Sequence, residues 1–472
     1  MAPFKTHSVR FYELEPLAIQ CMSLNEKHDT LALSRSDSSV EVWSVSYTPY
    51  LQKTIHGTPE GSVESLCWVD NRLFSCGLHG FLLEYDLNKL KVKAEHTVTS
   101  GPAWCLKSNM KCRKIAVGTE EGFVCLFSVL SDTLQYDRIL DKQEGRILCL
   151  SWNPEGTHLV TGSIDTIRVW DANTGHPTAR MTTGRVERNK ETIVWAVVVT
   201  SDMTVISGDS RGRTSFWNGR NGTLIDSIQS HKADVLTIEL NPAGNVAYSS
   251  GVDPTIMHFQ TISKPDGRRV WVKSLHRVVN SHDVRALVSQ KDKRIISGGM
   301  DSYLTISNYV TKSVSRVAAT PRGGISEVAA DAGILMLKYR NYLELWRLGE
   351  TVQGSGAVGS NLPLSREPVK LIQIKSKDDP IICSTISRDA RWLAYCTLNT
   401  IRVFKLEGCK YSEEQDPDEP PTISRLKIRE DIDHPHHLVF YQNKDGDNCL
   451  LVATENGSLK AYTIISAGLY SC

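Results

Sequence analysis

The sequence predicts an all-β protein, a seven-bladed β-propeller followed by an incomplete second propeller. Three observations predict it. Short apolar strands that close on an aromatic residue recur along the chain. They recur at intervals of about 44 residues, the length of a four-stranded blade. The stretches between strands are short and broken by Gly, Asn and Asp, leaving no room for the helical crossovers that a parallel sheet requires.

The strand endings fall at Trp43, Tyr85, Phe127, Trp170, Trp217, Phe259 and Ile306, six intervals spanning 263 residues. Each period repeats one order of signals. Around Trp152 an apolar strand, Ile147 to Trp152, comes first, and Asn153-Pro154-Glu155-Gly156 turns the chain. A second strand from Leu159 to Ser163 follows, then a turn at Asp165, then the aromatic strand ending at Trp170. Related first strands stand near Trp68, Trp104, Trp195 and Pro242. Such a sheet leaves both faces bare until neighbours stack on it, so residues 1–315 are assigned to a closed ring. Closure of this kind of ring usually takes one strand from the far end of the chain. Thr6 to Tyr12, alternating T-H-S-V-R-F-Y, is the candidate, either for this ring or for a second one.

Residues 316–472 carry three more periods, ending at Trp346, Phe404 and Tyr462. A Gly-rich loop at 351–362 and an acid-rich loop at 413–419 lengthen their spacing. Three blades do not close a ring. A shortened second propeller with an exposed edge, or a fragment of a longer product, is therefore expected.

Composition excludes some functions. The 472 residues hold 54 Lys+Arg against 53 Asp+Glu, so net charge supplies no drive toward nucleic acid or an anionic membrane. The first twenty residues lack a secretory apolar run and no later stretch has the length of a membrane span, which predicts a soluble intracellular protein. The 12 cysteines stand singly, without metal-knuckle or redox-motif spacing, and read as reduced thiols packed as small hydrophobes.

The residues of the repeat itself are expected to be structural: Trp43, Asp165, Trp170, Asp171, Trp217, Asp253, Asp301 and Trp346. A turn Asp can accept hydrogen bonds from turn amides and from a His or hydroxyl on an adjoining strand, which fixes a blade's geometry. His56, His231 and His282 lie in segments leading into blades and are expected to join such networks. Asp37, Asp165, Asp209, Asp253 and Asp301 recur at blade spacing, so they point to different sectors of the ring rather than facing one another as an acid and base pair. His434, His436 and His437 lack a convergent Cys or acidic partner motif for a metal. Neither a phosphate-binding loop nor a nucleophile elbow is present. The expectation is a non-enzyme with no catalytic, cofactor or metal residue and no small-molecule substrate.

Three basic groups are candidates for RNA or protein contact. Lys107, Lys111, Arg113 and Lys114 surround a turn in the third repeat. Arg185, Arg188 and Lys190, with Arg180 upstream, lie in an insertion before Trp195, and Lys264, Arg268 and Arg269, with Lys273, follow Phe259. Exposed contacts of this kind weaken as salt rises. None of the three groups has the aromatic interleaving of a base-stacking platform.

The run LSWNPEGTHLVTGSIDTIRVWD at Leu150 to Asp171 resembles the WD40 family. With FKTHSVRFYELEP near the start, LALSRSDSSVEVW at Leu31 to Trp43, LELWRLG at Leu343 to Gly349 and LPLS at Leu362 to Ser365, the chain resembles more narrowly the cirhin-like family, WD40 components of the nucleolar small-subunit processome. The resemblance covers nearly the whole chain and implies a non-catalytic scaffold in ribosome biogenesis. It also implies nuclear and nucleolar localisation, other processome proteins and pre-ribosomal RNA as partners, support of pre-18S rRNA processing and a link to rDNA transcription. Members of that family carry two full propellers, so the resemblance implies a C-terminally shortened form. A generic WD40 adaptor, such as a ubiquitin-ligase substrate receptor, is the alternative, since the fold alone does not name a function.

Overall fold

The computed structural model describes residues 10–471 apart from 11, 59, 185–189, 266–268, 292, 320–323, 352–360, 378, 399, 409–419, 427–434, 444–445 and 466–467. Its described residues form strands and turns without a helix. Two compact units emerge: Pro16–Ala319, and Thr320–Cys472 together with Met1–Glu15. The N-terminal stretch thus goes with the second unit, where the division at 315/316 placed it with the first.

In the first unit, seven four-stranded antiparallel sheets follow one another, each a simple meander of consecutive strands. These blades cover residues 19–55, 65–97, 103–139, 149–182, 194–229, 237–278 and 284–317. The first strand of each packs against the first strand of the next, and that of blade 7 packs against that of blade 1. The ring is therefore closed. No strand is shared between the chain ends: blade 1 takes all four of its strands from 19–55. Among the described residues blades 1 and 7 take no strand from the chain start, and most of the candidate closing strand, Thr6 to Tyr12, lies outside those residues.

Every repeat ending lies on the third strand of its blade. Trp43, Tyr85, Phe127, Trp170, Trp217 and Phe259 are buried, while Ile306 in blade 7 is partly buried. In blades 1 to 6 a β-bulge falls at this aromatic residue, where the outer strand gains one residue, as at Phe259, opposite Lys273. A bulge sharpens the local twist. Blade 7, which ends in Ile306, pairs its third and fourth strands in unbroken register.

A second regularity explains the tight stacking. Glycines near the end of the second strand press on the next blade: a Cβ on Gly118 would lie 2.6 Å from Ile147 Cγ2, and one on Gly208 would lie 2.5 Å from Val235 Cγ1. Gly162 faces Val194 in the same way. Gly298 meets Ile19 of blade 1, so closure repeats the internal contact.

The second unit holds three four-stranded blades, at 326–375, 383–426 and 435–471, packed in series, with Glu350–Thr351 and Leu364–Arg366 as an added two-stranded excursion. Tyr12 stacks on Tyr339 at 4.7 Å between ring centroids, and Tyr339 stacks on Tyr342 at 4.4 Å. The Tyr12 hydroxyl donates to the Lys338 carbonyl at 3.2 Å. Most of Thr6 to Tyr12, and the acid-rich and Gly-rich loops, lie outside the described residues.

Candidate interaction surfaces

Meandering blades put two sets of turns on opposite faces of the ring. One face carries the turns between second and third strands, together with the segments leading into each blade. The other carries the turns between first and second, and between third and fourth, strands.

The repeat aspartates Asp37, Asp165, Asp209, Asp253 and Asp301 all occupy the first of these faces. Asp165 accepts from the Thr192 amide at 2.7 Å, stitching its turn to the segment that leads into blade 5. Asp253 accepts from the Thr255 hydroxyl at 2.7 Å, and Asp301 from the Asn280 amide group at 3.1 Å. Asp171 sits on the opposite face and accepts from the Asn173 amide at 2.8 Å. These carboxylates organise separate turns and do not converge.

Beneath the turns lies a polar relay that the aromatic and Asp signals do not reveal. In blade 4 the Trp170 indole donates to the Thr161 hydroxyl at 2.8 Å, and Thr161 donates to Gln143 Oε1 at 2.6 Å. Blade 6 pairs His231 Nε2 with Ser249 Oγ at 2.7 Å, and in blade 7 Ser297 donates to Asn280 Oδ1 at 2.7 Å. Trp217 donates to Ser207 at 2.9 Å, and Tyr85 pairs with Ser75 at 2.8 Å. Blade 4 carries all three parts, a lead-in polar residue, a hydroxyl on the second strand and an aromatic donor on the third; blades 6 and 7 keep the first two, and blades 2 and 5 the last two. Gln143, His231 and Asn280 each stand four residues before the apolar residue that opens the blade, Ile147, Val235 and Val284. Burial lowers the His231 imidazole to about 4, so it is neutral at pH 7. His282 is exposed and bonds Ser281; Asn280 takes the relay position instead. His56 is partly buried in the lead-in to blade 2.

Trp43 belongs to a different network. Its indole donates to Glu41 at 3.0 Å, and Glu41 pairs with Arg35 at 3.0 Å, both ions buried. Arg35 also donates to the Ser302 carbonyl of blade 7 at 2.8 Å. This set clasps blades 7 and 1. In the second unit Trp346 donates to Glu344 at 2.9 Å.

The basic groups do not form one patch. Lys107 points into the axial channel of the ring, a cavity of about 180 Å³ lined by first strands, where Glu239 also lies. Burial raises the Glu239 carboxyl to about 7, against the opposing pull of Lys107. Lys111 pairs with Glu155 at 2.9 Å, Arg113 with Asp70 at 3.2 Å and Lys114 with Asp137 at 2.7 Å. Arg180 reaches Glu144 at 3.9 Å. Lys190, Lys264, Arg269 and Lys273 are exposed, while Arg185, Arg188 and Arg268 lie outside the described residues. The turn at Lys111 and the hairpin at Lys264 share a face but belong to blades 3 and 6, across the ring from each other. Lys190, in the lead-in to blade 5, lies on the opposite face.

A larger cavity, about 590 Å³, opens between blades 1 and 2 beside Asn25, His28, Lys53 and Lys93. Glu84 in its wall pairs with both Arg72 at 2.7 Å and Lys93 at 2.9 Å, and Lys53 donates to the Leu87 carbonyl at 2.8 Å. Among the described residues no group of three or more His, Cys, Asp or Glu side chains could hold a metal. His436 and His437 are described and His434 is not. The arrangement offers surface: two faces of ordered turns and a rim of outer strands.

The family model for the WD domain, G-beta repeat, matches residues 135–171, which hold the last strand of blade 3 and the first three of blade 4. The U3 small nucleolar RNA-associated protein 4 homolog of Mus musculus is 34% identical over 475 residues, covering 97% of this chain and 67% of that protein. The homolog of the same name from Homo sapiens is 35% identical over 86% of the chain and 61% of its own length. U3 small nucleolar RNA-associated protein 4 of Saccharomyces cerevisiae is 27% identical over 85% of the chain and 54% of its own length. The chain spans between about half and two thirds of the length of these relatives.

Proposed function

The chain belongs to the U3 small nucleolar RNA-associated protein 4 family, the cirhin-like proteins, and from that premise we propose that it is a non-catalytic scaffold of the small-subunit processome. It acts in the nucleolus, where it supports pre-18S rRNA processing and rDNA transcription. Its partners are other processome proteins and pre-ribosomal RNA, reached directly or through the complex. The observation that carries the reading is the 34% identity to the mouse homolog across 97% of the chain.

The physical account agrees with a scaffold. A ring of stacked sheets holds its turns in fixed positions, so a partner binding there pays little ordering cost in the strands. A stable protein contact buries about 1,600 Å² in total, and a face and a rim of this kind offer room for more than one. Several modest contacts within one particle then add through effective concentration. The acids, histidines and hydroxyls sit in separate structural bonds around the ring, which gives no support to a catalytic reading.

Depletion of the protein in its own cells tests the proposal. Precursors of 18S rRNA are expected to accumulate uncleaved, with large-subunit rRNA maturing normally. Unchanged levels of every pre-18S intermediate would overturn it.

A further inference from the structure

Cys383 and Cys396 are thirteen residues apart and directly opposite each other on the first two strands of the 383–426 blade, where their Cα atoms are register partners. Their sulfurs lie 2.8 Å apart. Among the described residues this is the one close contact between two cysteine sulfurs. Other thiols meet hydroxyls or carbonyls instead, as Cys21 does with Ser34 and Cys149 with the Val194 carbonyl.

From this placement we propose that Cys383 and Cys396 form a thiol-oxidation site that closes to a cross-strand disulfide on reaction with a hydroperoxide. Directly opposed positions of an antiparallel pair put Cβ atoms about 4.5–5.5 Å apart, close to the roughly 3.5–4.5 Å span of a disulfide. Only a small adjustment separates the dithiol from the bonded form. Cys383 is half-buried and Cys396 is buried, so the side of Cys383 is the approach left for a small oxidant in this proposal.

The surroundings favour reaction. The hydrogen bond from Cys383 holds the Cys396 thiol below its usual range and pushes the Cys383 thiol up. One proton can therefore leave the pair while the other thiol stays in place to donate to the thiolate. Lys338 donates to the Ile382 carbonyl, next to Cys383, at 2.9 Å, which places an ammonium beside the developing thiolate. In the first unit burial pushes the isolated thiols Cys21 and Cys67 up to about 12, which withholds the reactive thiolate.

The chemistry balances in two steps. The Cys396 thiolate attacks a peroxide oxygen, the O–O bond breaks, and with one proton an alcohol or water leaves while the sulfur becomes a sulfenic acid. The Cys383 sulfur then displaces hydroxide from that sulfenic acid, which departs as water with the Cys383 proton. Two thiols are oxidised, one hydroperoxide is reduced, and the S–S bond forms. The Cys396 S–H that faces the Pro435 carbonyl of the following blade at 3.6 Å is lost in the process.

The test uses the full chain, purified reduced and exposed to hydrogen peroxide, then alkylated and mapped by mass spectrometry. The expected result is loss of two alkylatable thiols and a peptide pair linked through Cys383 and Cys396, with Cys21 and Cys67 still free. Thioredoxin should restore both thiols. Replacement of the half-buried partner, Cys383→Ser, should abolish the link and leave a sulfenic acid on Cys396 that dimedone traps. Recovery of both cysteines alkylated while other thiols oxidise, or sulfinic acid without a link in the parent chain, would overturn the proposal.

Discussion

Gly298 on the last blade of the ring lies against the Ile19 side chain of the first so closely that a Cβ there would stand 2.7 Å from Ile19 Cδ1. Its counterparts at Gly118 and Gly208 make the same approach to the next blade, so the join between chain start and seventh blade is equivalent to the internal ones. Replacing Gly298 with Val should strain this seam at a cost of about 1–3 kcal/mol, the usual range for overpacking. Chemical denaturation of G298V is expected to show an earlier midpoint, with hydrogen exchange rising first in blades 1 and 7. Unchanged exchange in both blades would mean the seam is not closed.

The relay in blade 4 predicts a graded series. Trp170 is fully buried, so Trp170→Ala should cost about 3–5 kcal/mol. Trp170→Phe keeps part of the apolar contact while losing the bond to Thr161 and leaving a smaller cavity, so it should cost less. Equal midpoints for the two variants in denaturant would show that cavity and hydrogen bond have been wrongly apportioned.

His231 makes stability depend on pH. Its folded value of about 4 lies below the usual 6.5, so between these values the unfolded chain binds more protons and stability rises with pH. The contribution is full above about 6.5 and is lost as pH falls toward 4. Gln143 fills the equivalent place in blade 4, so His231→Gln should fold and should flatten the thermal-midpoint profile across that window. A profile as steep as the parent's would remove His231 as its source.

Glu239 predicts the opposite slope. Its folded carboxyl near 7 lies above the usual 4.5, so the folded chain holds the extra proton and stability declines as pH rises from about 4.5 to 7. Glu239→Gln should raise the thermal midpoint at pH 8 and leave it nearly unchanged at pH 4. A lower midpoint at pH 8 would show that the charged form is held by partners in the channel.

Charge reversal separates the basic groups. Lys114 is bound to Asp137, so Lys114→Glu should lower stability with little effect on RNA. Reversal of Arg185, Arg188 and Lys190 together should leave the fold intact and reduce pre-ribosomal RNA association at low salt, with a shallower dependence on salt. Filter binding across a salt series reads this out, and identical curves would take that segment out of the interface.

Much of the fold is legible because the third strand of blades 1 to 6 carries an aromatic residue that is both buried and at a bulge, a demand that Trp170, Trp217 and Phe259 meet visibly in sequence. The relay is less legible. Gln, His and Asn alternate at its first position, so a search for histidine finds His231, misses Gln143 and Asn280, and stops at the exposed His282. A search four residues before each blade's first apolar residue would have found all three. The basic groups mislead for a related reason: the acids that pair with Lys111 and Arg113 lie about one blade period away, at Glu155 and Asp70, so local charge runs overstate free charge. The Cys383 and Cys396 contact is set by hairpin register, which no spacing motif records.

The most direct measurement is ultraviolet crosslinking and tandem purification of the tagged chain from its own cells, with sequencing of the bound RNA and mass spectrometry of the bound proteins. The account predicts U3 RNA and the early pre-18S transcript in the recovered particle, with processome proteins in fixed proportion. Recovery of the chain with ubiquitin-ligase subunits and no pre-ribosomal RNA would contradict it.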